Sequence, residues 1–587
     1  MRLVSGVLNR TRRDPIDRRR RCNFMMTAMK NQGVRSPAVL FAGVLLLLLA
    51  AFASGNSIEL ALGRPPHSLS WGPALFRLLL AAHGLVLIGA AFLRKQKPHA
   101  SAIPPAGRRA WMILGALSVL ALALRIPGLN SCMWLDEVLT MVRFARPPVA
   151  QIVTSFPDQN QHMLYSLMAH ASLALFGESV WALRLPSVFF GLASIWALFL
   201  LGRRLIGENQ ALLACALMAV SYHHIWFSQN ARGYMGLLFF TILSTWLWLQ
   251  AMENDRWITW VSYAVSIALG MWIHMTIVFV AGTHAFIFMV VWLRSGHEPA
   301  RLGRAAAAYF LSATLSLQLI ALALPEFLRT GVGEVSPPTE WTNPLWVVRE
   351  SLRSLQIGFA GIAVVVCGGF LVLAGWIDLL RRQARAAWAM VLPGVGGGAL
   401  MLLIGHNLWP RFFFFCMGFA LLITVHGAME MARLTGAVAP VPSRWLPRLG
   451  YALAGLIIAA SAATVPRCYA LPKQDFTGAM AYVEQQRRPG DTVVVVGLAE
   501  HVYHAYYAPS WPVAQTSEEL AALRSSTGRT FVVYTLPIEL RAVHPGIWQT
   551  LQTDFETDRV FWGTLGGGEV YVCRSRPKPR QARFEVR

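Results

Sequence analysis

Trp134-Leu135-Asp136-Glu137 sets two adjacent carboxylates just past an apolar segment running from Ala110 to about Gly128. Carboxylates are costly to hold near hydrocarbon, so an acidic pair at such a boundary marks a site more readily than a scaffold. One of them can serve as a general base, its pKa raised by partial desolvation or held down by a nearby cation. The other can bind a divalent cation, orient an acceptor or lock the loop by hydrogen bonding. The plainer alternative is a pair of solvated acids at the start of an interfacial helix.

A second group of residues suits an anion. The stretch Tyr222-His223-His224-Ile225-Trp226-Phe227-Ser228-Gln229-Asn230-Ala231-Arg232 is dense in polar side chains for so apolar a chain. Its histidines, its amides and Arg232 fit a ligand such as a phosphate, with arginine the stronger bidentate partner. Adjacent histidines alone are a weak metal signal, and an aromatic membrane-interface belt is the bland reading. Arg184, at the start of one apolar run, and Arg411, in His406-Asn407-Leu408-Trp409-Pro410-Arg411, add cations that each could simply anchor a helix end. His274, in Met271-Trp272-Ile273-His274-Met275, reads by itself as a packed, hydrogen-bonded histidine.

These residues need a scaffold, and the composition names its class. Of 587 residues 55% are hydrophobic and 14% charged, and mean hydropathy is +0.47. The chain is expected to be a polytopic membrane protein. A net charge of +23 would suggest nucleic acid in a soluble protein, but here Lys and Arg sit in an N-terminal tail and in short links between apolar runs. That pattern belongs to cytoplasmic loops and excludes a nucleic-acid groove.

Spans are expected near 38–54, 73–93, 110–128, 182–203, 210–226, 233–251, 257–274, 275–293, 306–325, 356–380, 387–405, 409–431 and 449–465, about thirteen crossings. Basic clusters at Arg18 to Arg21, at Arg94, Lys95 and Lys97, at Arg203-Arg204, at Arg294 to Arg304 and at Arg381 to Arg385 share one side if the N-terminus is cytoplasmic. The opposite side then receives the Asp136 loop, the Tyr222–Arg232 turn, the Glu326–Glu350 loop, His406–Arg411 and the C-terminal region. His162–Phe176 is apolar but short, and is expected to be an interfacial or re-entrant helix. Ala51-Phe52-Ala53 resembles a signal-peptidase site, with a retained helix the preferred reading because the basic region before it is long. Gly394 to Gly398 could interrupt one helix.

From about Arg467 the composition becomes that of a soluble α/β module. A helical pattern at Asp475–Arg487 leads through Pro489-Gly490-Asp491 to a strand at Thr492–Leu498, with further strand-like runs at Thr530–Leu536 and Glu569–Cys573. The expected domains are a basic cytoplasmic tail (1–37), an N-terminal transmembrane hairpin (38–109), an all-α transmembrane region (110–465) with its first outer loop at 129–181, and a small α/β domain on the outer face (466–587). Seven cysteines supply no CxxC motif. Cys468 and Cys573 could pair in an oxidising compartment, unpaired thiols being the equal alternative.

The order of these pieces resembles the GT-C type membrane glycosyltransferases, in particular bacterial relatives of the dolichyl-phosphate-mannose protein mannosyltransferases and of the lipid A aminoarabinose transferases. The resemblance runs from about Ala110 to the C-terminus. It rests on Trp134 to Glu137, His162-Met163-Leu164-Tyr165, Leu175-Phe176-Gly177-Glu178 and Ala182-Leu183-Arg184-Leu185-Pro186-Ser187. Gly202-Arg203-Arg204-Leu205, Trp226 to Arg232, Trp272-Ile273-His274, Pro410-Arg411-Phe412 and Lys473-Gln474-Asp475-Phe476 continue it. Each piece is weak alone, and the ordered set is specific.

The resemblance implies an inverting hexosyl- or pentosyltransferase that takes a sugar from a polyprenyl-phosphate donor at the periplasmic face of a bacterial inner membrane. The acceptor would be a lipid, a glycan or a protein. Asp136 would be the base, and Glu137 would support it or hold a divalent cation, the one cofactor the reading admits. Arg232, Arg411, His223, His224 and Arg184 would meet the donor phosphate. Trp134, His162, Tyr165, Gln229, Asn230, Tyr234 and His274 would line the substrate pocket. The chain departs from the family in having Asn230 where an acid is common, and Met163-Leu164 in place of a Pro-Pro pair after His162. A transporter or flippase for a lipid-linked precursor is the rival from another class, though transport usually needs ionisable groups or broken helices near the membrane midplane. A catalytically silent, glycan-binding sensor is a third.

Overall fold

A computed structural model describes residues 36–92, 104–296, 298–330, 341, 343–358, 362–438 and 442–576. The basic tail around Arg18 to Arg21 and the link holding Arg94, Lys95 and Lys97 lie outside these described residues. The chain divides into two compact units, Met1–Pro98 and His99–Arg587.

The first unit pairs the helices Pro37–Phe52 and Gly72–Ala91. Both are strongly apolar, Arg77 and His83 being the exceptions in the second, with Phe41, Leu78 and Leu85 exposed, the character of helices that face hydrocarbon. They touch where Gly43 meets Gly84, and a Cβ on either would collide with the opposite backbone or with Leu47 or Ile88. Small residues at such a crossing let two membrane helices approach closely.

In the second unit, the described residues of every remaining expected span are largely helical, although 210–226 is bent by 61° between the helices Glu208–Ala219 and Tyr222–Ser228. Among the described residues of the whole chain, seven helices are long and apolar enough to cross a membrane, or up to ten if each of three bent pairs forms one span. Arg108–Ala123 and Trp257–Ile273 have only 16 and 17 residues. Val365–Leu403 passes as one span of 39 residues, although its backbone breaks at Gln383, where φ is −143° and ψ is 59°. The break lies beside the Arg381-Arg382 link, as charge placement predicts. The glycines 394–398 interrupt nothing, correcting that expectation: the helix continues through them to Leu403. His162–Phe176 is a short apolar helix, Met163–Phe176.

Contacts between the links divide the second unit into two ends. Arg203 bonds the Pro104 carbonyl, Arg204 pairs with Glu253, Arg304 Nε lies 2.8 Å from Asp255 Oδ2, and Gln383 Nε2 lies 3.0 Å from the Leu205 carbonyl. The basic links therefore gather at one end. Asp136, Arg184, Arg232, Arg411 and Lys473 meet at the other.

The C-terminal module is a five-stranded sheet in the order β2-β1-β3-β5-β4. Its strands are β1 (Thr492–Val496), β2 (Val513–Ala514), β3 (Thr530–Thr535), β4 (Phe555–Phe561) and β5 (Val570–Ser575). The first three pair in parallel, while β5 is antiparallel to both β3 and β4. β3 is buried at every position, and the Val run of β1 is buried likewise, as central strands covered on both faces must be. β4, which the sequence patterning misses, alternates buried ends with exposed Glu556, Thr557 and Arg559. Cys468 and Cys573 are both free thiols, which corrects the suggested pairing. Cys468 faces the Tyr222 carbonyl, whereas Cys573 lies in β5 against Thr557.

Candidate active site

A short helix, Leu135–Leu139, carries Asp136 and Glu137 in its first turn, where the free backbone amides favour anions. It runs on into Thr140–Ala145, wound as a π-helix, a form common at functional sites. The α/β module buttresses this loop. Gln474 Oε1 accepts from the Leu135 amide at 3.0 Å, the Cys132 thiol lies 3.0 Å from the Gln474 carbonyl, and the Met133 amide donates to Tyr507 Oη at 2.8 Å.

The two acids have opposite environments. Glu137 is fully buried and fully engaged: Arg184 Nε donates to Oε1 at 2.8 Å, Arg184 Nη2 to Oε2 at 2.6 Å and the Ala231 amide to Oε1 at 2.7 Å. Lys473 Nζ stands 3.6 Å from Oε2. Burial alone would raise this carboxyl, but the Arg184 and Lys473 cations, with the hydrogen bonds, hold it below the usual range and hence ionised. Of the roles open to Glu137, this geometry fits locking of the loop. Arg184 is consumed in the same lock, its remaining donors going to the carbonyls of Leu129 at 2.8 Å, Ser131 at 3.0 Å and Cys132 at 3.2 Å. No N–H of Arg184 is left to meet a phosphate.

Asp136 is also buried, yet its Oδ2 accepts no hydrogen bond. It lies 3.8 Å from Arg232 Nε and 3.8 Å from Arg411 Nη2, too far for a contact bond. Arg232 Nε, Arg411 Nε and His162 Nε2 likewise lack partners. Buried polar atoms without partners are uncommon in folded proteins, and several around one carboxylate mark a place built for a polar ligand. Arg232 is aimed by Asn160, whose carbonyl is 2.8 Å from Nη1 and whose Oδ1 is 3.0 Å from Nη2. Arg411 is aimed by aromatic faces, at 4.7 Å from the Trp409 ring and 5.4 Å from that of Trp134.

His162 and His274 join this group. Their rings are 4.8 Å apart, and the Tyr234 ring is 6.0 Å from the first and 5.3 Å from the second. His162 Nδ1 is 2.9 Å from the Ile273 carbonyl, which requires it to be the protonated nitrogen and leaves Nε2 as an acceptor. Burial above all, then the Arg232 guanidinium, His274 and the Arg411 guanidinium, push His162 well below the ordinary histidine range, so the ring is neutral. Trp134 Nε1 donates to Asn230 Oδ1 at 3.2 Å.

Other expected residues are engaged elsewhere. Tyr165 Oη donates to the Leu183 carbonyl at 2.8 Å, and Gln229 Nε2 to the Arg125 carbonyl at 2.9 Å. His223 Nε2 donates to the Ser354 carbonyl at 2.9 Å, while His224 Nδ1 accepts from Arg125 Nη2 at 2.5 Å. The backbone of the short helix Tyr222–Ser228 sets both histidines toward these other elements, and no described contact joins either to Asp136, Arg232 or Arg411.

Lys473 is the main site residue that residue-type reasoning passes over, although it opens the Lys473-Gln474-Asp475 motif. Its Nζ donates to the Gln229 carbonyl at 2.5 Å and lies 5.4 Å from the Trp226 ring. Burial first, and then the Arg184 charge, push it down to about 7, against Glu137, which acts to raise it. The unfolded state therefore binds more protons between pH 7 and 10.5, and folding stability rises across that window. In Lys473→Met this rise, up to about 1.4 kcal/mol per pH unit, should vanish from thermal-unfolding curves recorded at pH 7 to 10. A parallel rise in the variant would remove Lys473 as its source.

Among the described residues one group has metal-ligand spacing: Asp378, His426 and Glu430, all buried. It lies at the basic end, with Arg382 Nε 2.7 Å from Asp378 and Arg433 Nη2 2.8 Å from Glu430. Glu430 is nineteen residues beyond Arg411, through a 3₁₀ turn (Pro410–Cys416) and then an α-helix (Met417–Val438), which puts it roughly 30 Å from the Asp136 end.

Fold and site together define an integral membrane protein with a cluster of buried charged groups at one end of its helices. Residues 160–322 match the family described as dolichyl-phosphate-mannose-protein mannosyltransferase. The matched stretch takes in His162, Arg184, Arg232 and His274, and stops short of Asp136 and Arg411. It supports the reading of the chain as a GT-C type membrane glycosyltransferase. No curated protein matches the chain. Among solved structures, ArnT from Cupriavidus metallidurans in the apo state is similar at 13% identity, with 81% of this chain and 100% of that chain covered and a TM-score of 0.48. The archaeal oligosaccharyltransferase AglB from Archaeoglobus fulgidus, in complex with an inhibitory peptide and a dolichol-phosphate, is similar at 12% identity, covering 79% and 74%, with a TM-score of 0.47. Arabinosyltransferase EmbB from Mycobacterium smegmatis gives 14% identity, 68% and 45% coverage and a TM-score of 0.42.

Proposed function

We infer that this chain is an inverting glycosyltransferase that moves a sugar from a polyprenyl-phosphate donor to an acceptor hydroxyl at the periplasmic face of a bacterial inner membrane. The observation that carries the reading is the buried Asp136 carboxylate, with an oxygen that accepts no hydrogen bond, between Arg232 and Arg411. The family match over residues 160–322 adds the class of donor. The domain arrangement goes with it: a cytoplasmic tail, a membrane hairpin and a transmembrane catalytic region that together make about thirteen crossings, and a periplasmic α/β domain.

Asp136 accepts the proton as the acceptor oxygen attacks the anomeric carbon. The bond from that carbon to the phosphate oxygen breaks on the opposite face, so configuration inverts and one base suffices. The polyprenyl phosphate leaves as an anion, its charge met by Arg411 and Arg232. Neutral His162 offers Nε2 to a hydroxyl of the sugar or acceptor. Glu137 does not suit the role of holding a divalent cation, because its oxygens are filled by Arg184, the Ala231 amide and Lys473, and the Asp378 group lies at the far end. Among the described residues, the Asp and Glu side chains buried among the spans of the second unit gather at its ends, which disfavours a transporter with a midplane carboxylate.

Envelope lipids and glycans compared by mass spectrometry with and without the protein test the reading, since loss of one hexose or pentose increment would identify both substrates. An unchanged profile together with no transfer in vitro would sink it. Arg411→Gln should lower kcat by about 10²-fold, as loss of one group stabilising a developing anion does, with a smaller effect on donor KM. A change confined to KM, read from donor titrations, would make Arg411 a ground-state anchor instead.

A further inference from the structure

Beside the proposed catalytic residues lies a cavity of about 460 Å³ that the reaction above does not use. Trp341, Trp346 and Trp409 wall one side, and Trp562 stands in the wall from the α/β module. The Trp409 ring is 5.0 Å from that of Trp341 and 5.1 Å, edge-on, from that of Trp346. Arg411 lies over the same Trp409 ring while reaching Asp136, so the cavity adjoins the proposed base through one side chain. Trp562 is 60% exposed at the end of β4, an unusual cost for a soluble module.

Polar groups complete the walls. Arg353, from the helix Pro344–Gly358, lies 3.6 Å from Glu350 and 3.7 Å from Glu569 of the module. Those separations leave donors and acceptors for a third party. Gly566 allows the module's backbone to close against Glu350 and Arg353, where a Cβ would collide with both. An aromatic belt facing lipid would not enclose charged pairs from two elements.

A pyranose ring has apolar C–H faces and a rim of hydroxyls that both donate and accept. Indole plates fit the faces, and an arginine between two carboxylates fits the rim. The volume lies within the roughly 300–1,000 Å³ of small-ligand sites. We propose that this cavity binds a sugar ring of the acceptor, so that the acceptor is a glycan or glycolipid rather than an unglycosylated protein. The inference rests on the transferase reading for the identity of its ligand as acceptor.

The test uses the full-length protein in detergent, with chitotriose and maltotriose as probes followed by saturation-transfer difference NMR. Signal on ring C–H protons is expected for the native protein and for Asp136→Asn. Affinity about tenfold weaker is expected for Trp562→Ala and Trp346→Ala. Absence of signal from both sugars, or equal affinity in both tryptophan variants, overturns the proposal. In transfer assays with envelope glycolipids, Trp562→Ala should raise half-saturating acceptor about tenfold and leave that of the donor unchanged. If the probes bind through the tryptophans but no sugar is ever transferred, the cavity assignment stands and the transferase reading fails. If Asp136→Asn abolishes transfer while Trp562→Ala leaves acceptor saturation unmoved, the transferase stands and this inference falls.

Discussion

Replacing Asp136 with Asn is expected to reduce sugar transfer by about 10²–10⁴-fold, the contribution typical of a positioned general base. The substitution keeps shape and removes charge. Since Oδ2 accepts no hydrogen bond, little of the fold depends on it, and the backbone carbonyl that receives the Thr140 hydroxyl at 2.8 Å is untouched. The variant should thus insert and melt as the native protein does, which separates loss of chemistry from loss of structure. Asp136→Glu should also fail, because one added methylene moves the carboxylate into Arg232 or Arg411, each already 3.8 Å away. Labelled-sugar transfer from a purified polyprenyl-phosphate donor measures both. Turnover in Asp136→Asn within a few-fold of native would remove Asp136 as the base.

The largest stability effect belongs to the neighbouring residue. Arg184→Met leaves the Glu137 carboxylate fully buried with only Lys473 and backbone amides to face it, and breaking a buried pair in this way costs about 3–5 kcal/mol. Joining it to Glu137→Leu removes the stranded charge, so the double variant should recover part of the lost stability. Recovery is incomplete because the carbonyls of Leu129, Ser131 and Cys132 also lose their donor. Thermal unfolding in detergent of the two single variants and the double variant gives the coupling directly. A melting temperature of Arg184→Met equal to native would show that Glu137 is held by other means.

The sequence makes the acidic pair legible because carboxylates at the edge of an apolar run are costly, and it makes Arg232 and Arg411 legible as cations on the same end. It does not distinguish a guanidinium that meets a ligand from one that meets a carboxylate. Arg184 and Arg232 read alike, yet one has every donor engaged and the other has an Nε without a partner. His223 and His224 look like ligands by type, but the short Tyr222–Ser228 helix sets them against Ser354 and Arg125. His162 and His274 stand 112 positions apart, and nothing local reveals that their rings meet. In the scaffold, the break at Gln383 follows from its basic neighbours, whereas the glycines at 394–398 mislead because a helix packed among others tolerates them. β4 escapes notice because an edge strand with a mostly polar face carries little apolar signal.

The clamp that Lys473 and Gln474 place on the first loop has a consequence for biosynthesis. Gln474 bonds the Leu135 amide across 339 positions of chain. While the protein is being made, the acidic loop emerges early and waits through the synthesis of nearly all the later helices before its second cation exists. A nascent chain that already contains Asp136, Arg184, Arg232 and Arg411 still has Glu137 short of Lys473 and the loop without its Gln474 tether. The order of translation thus leaves Glu137 without Lys473, and the loop without its Gln474 tether, until the rest of the helical region has been synthesised.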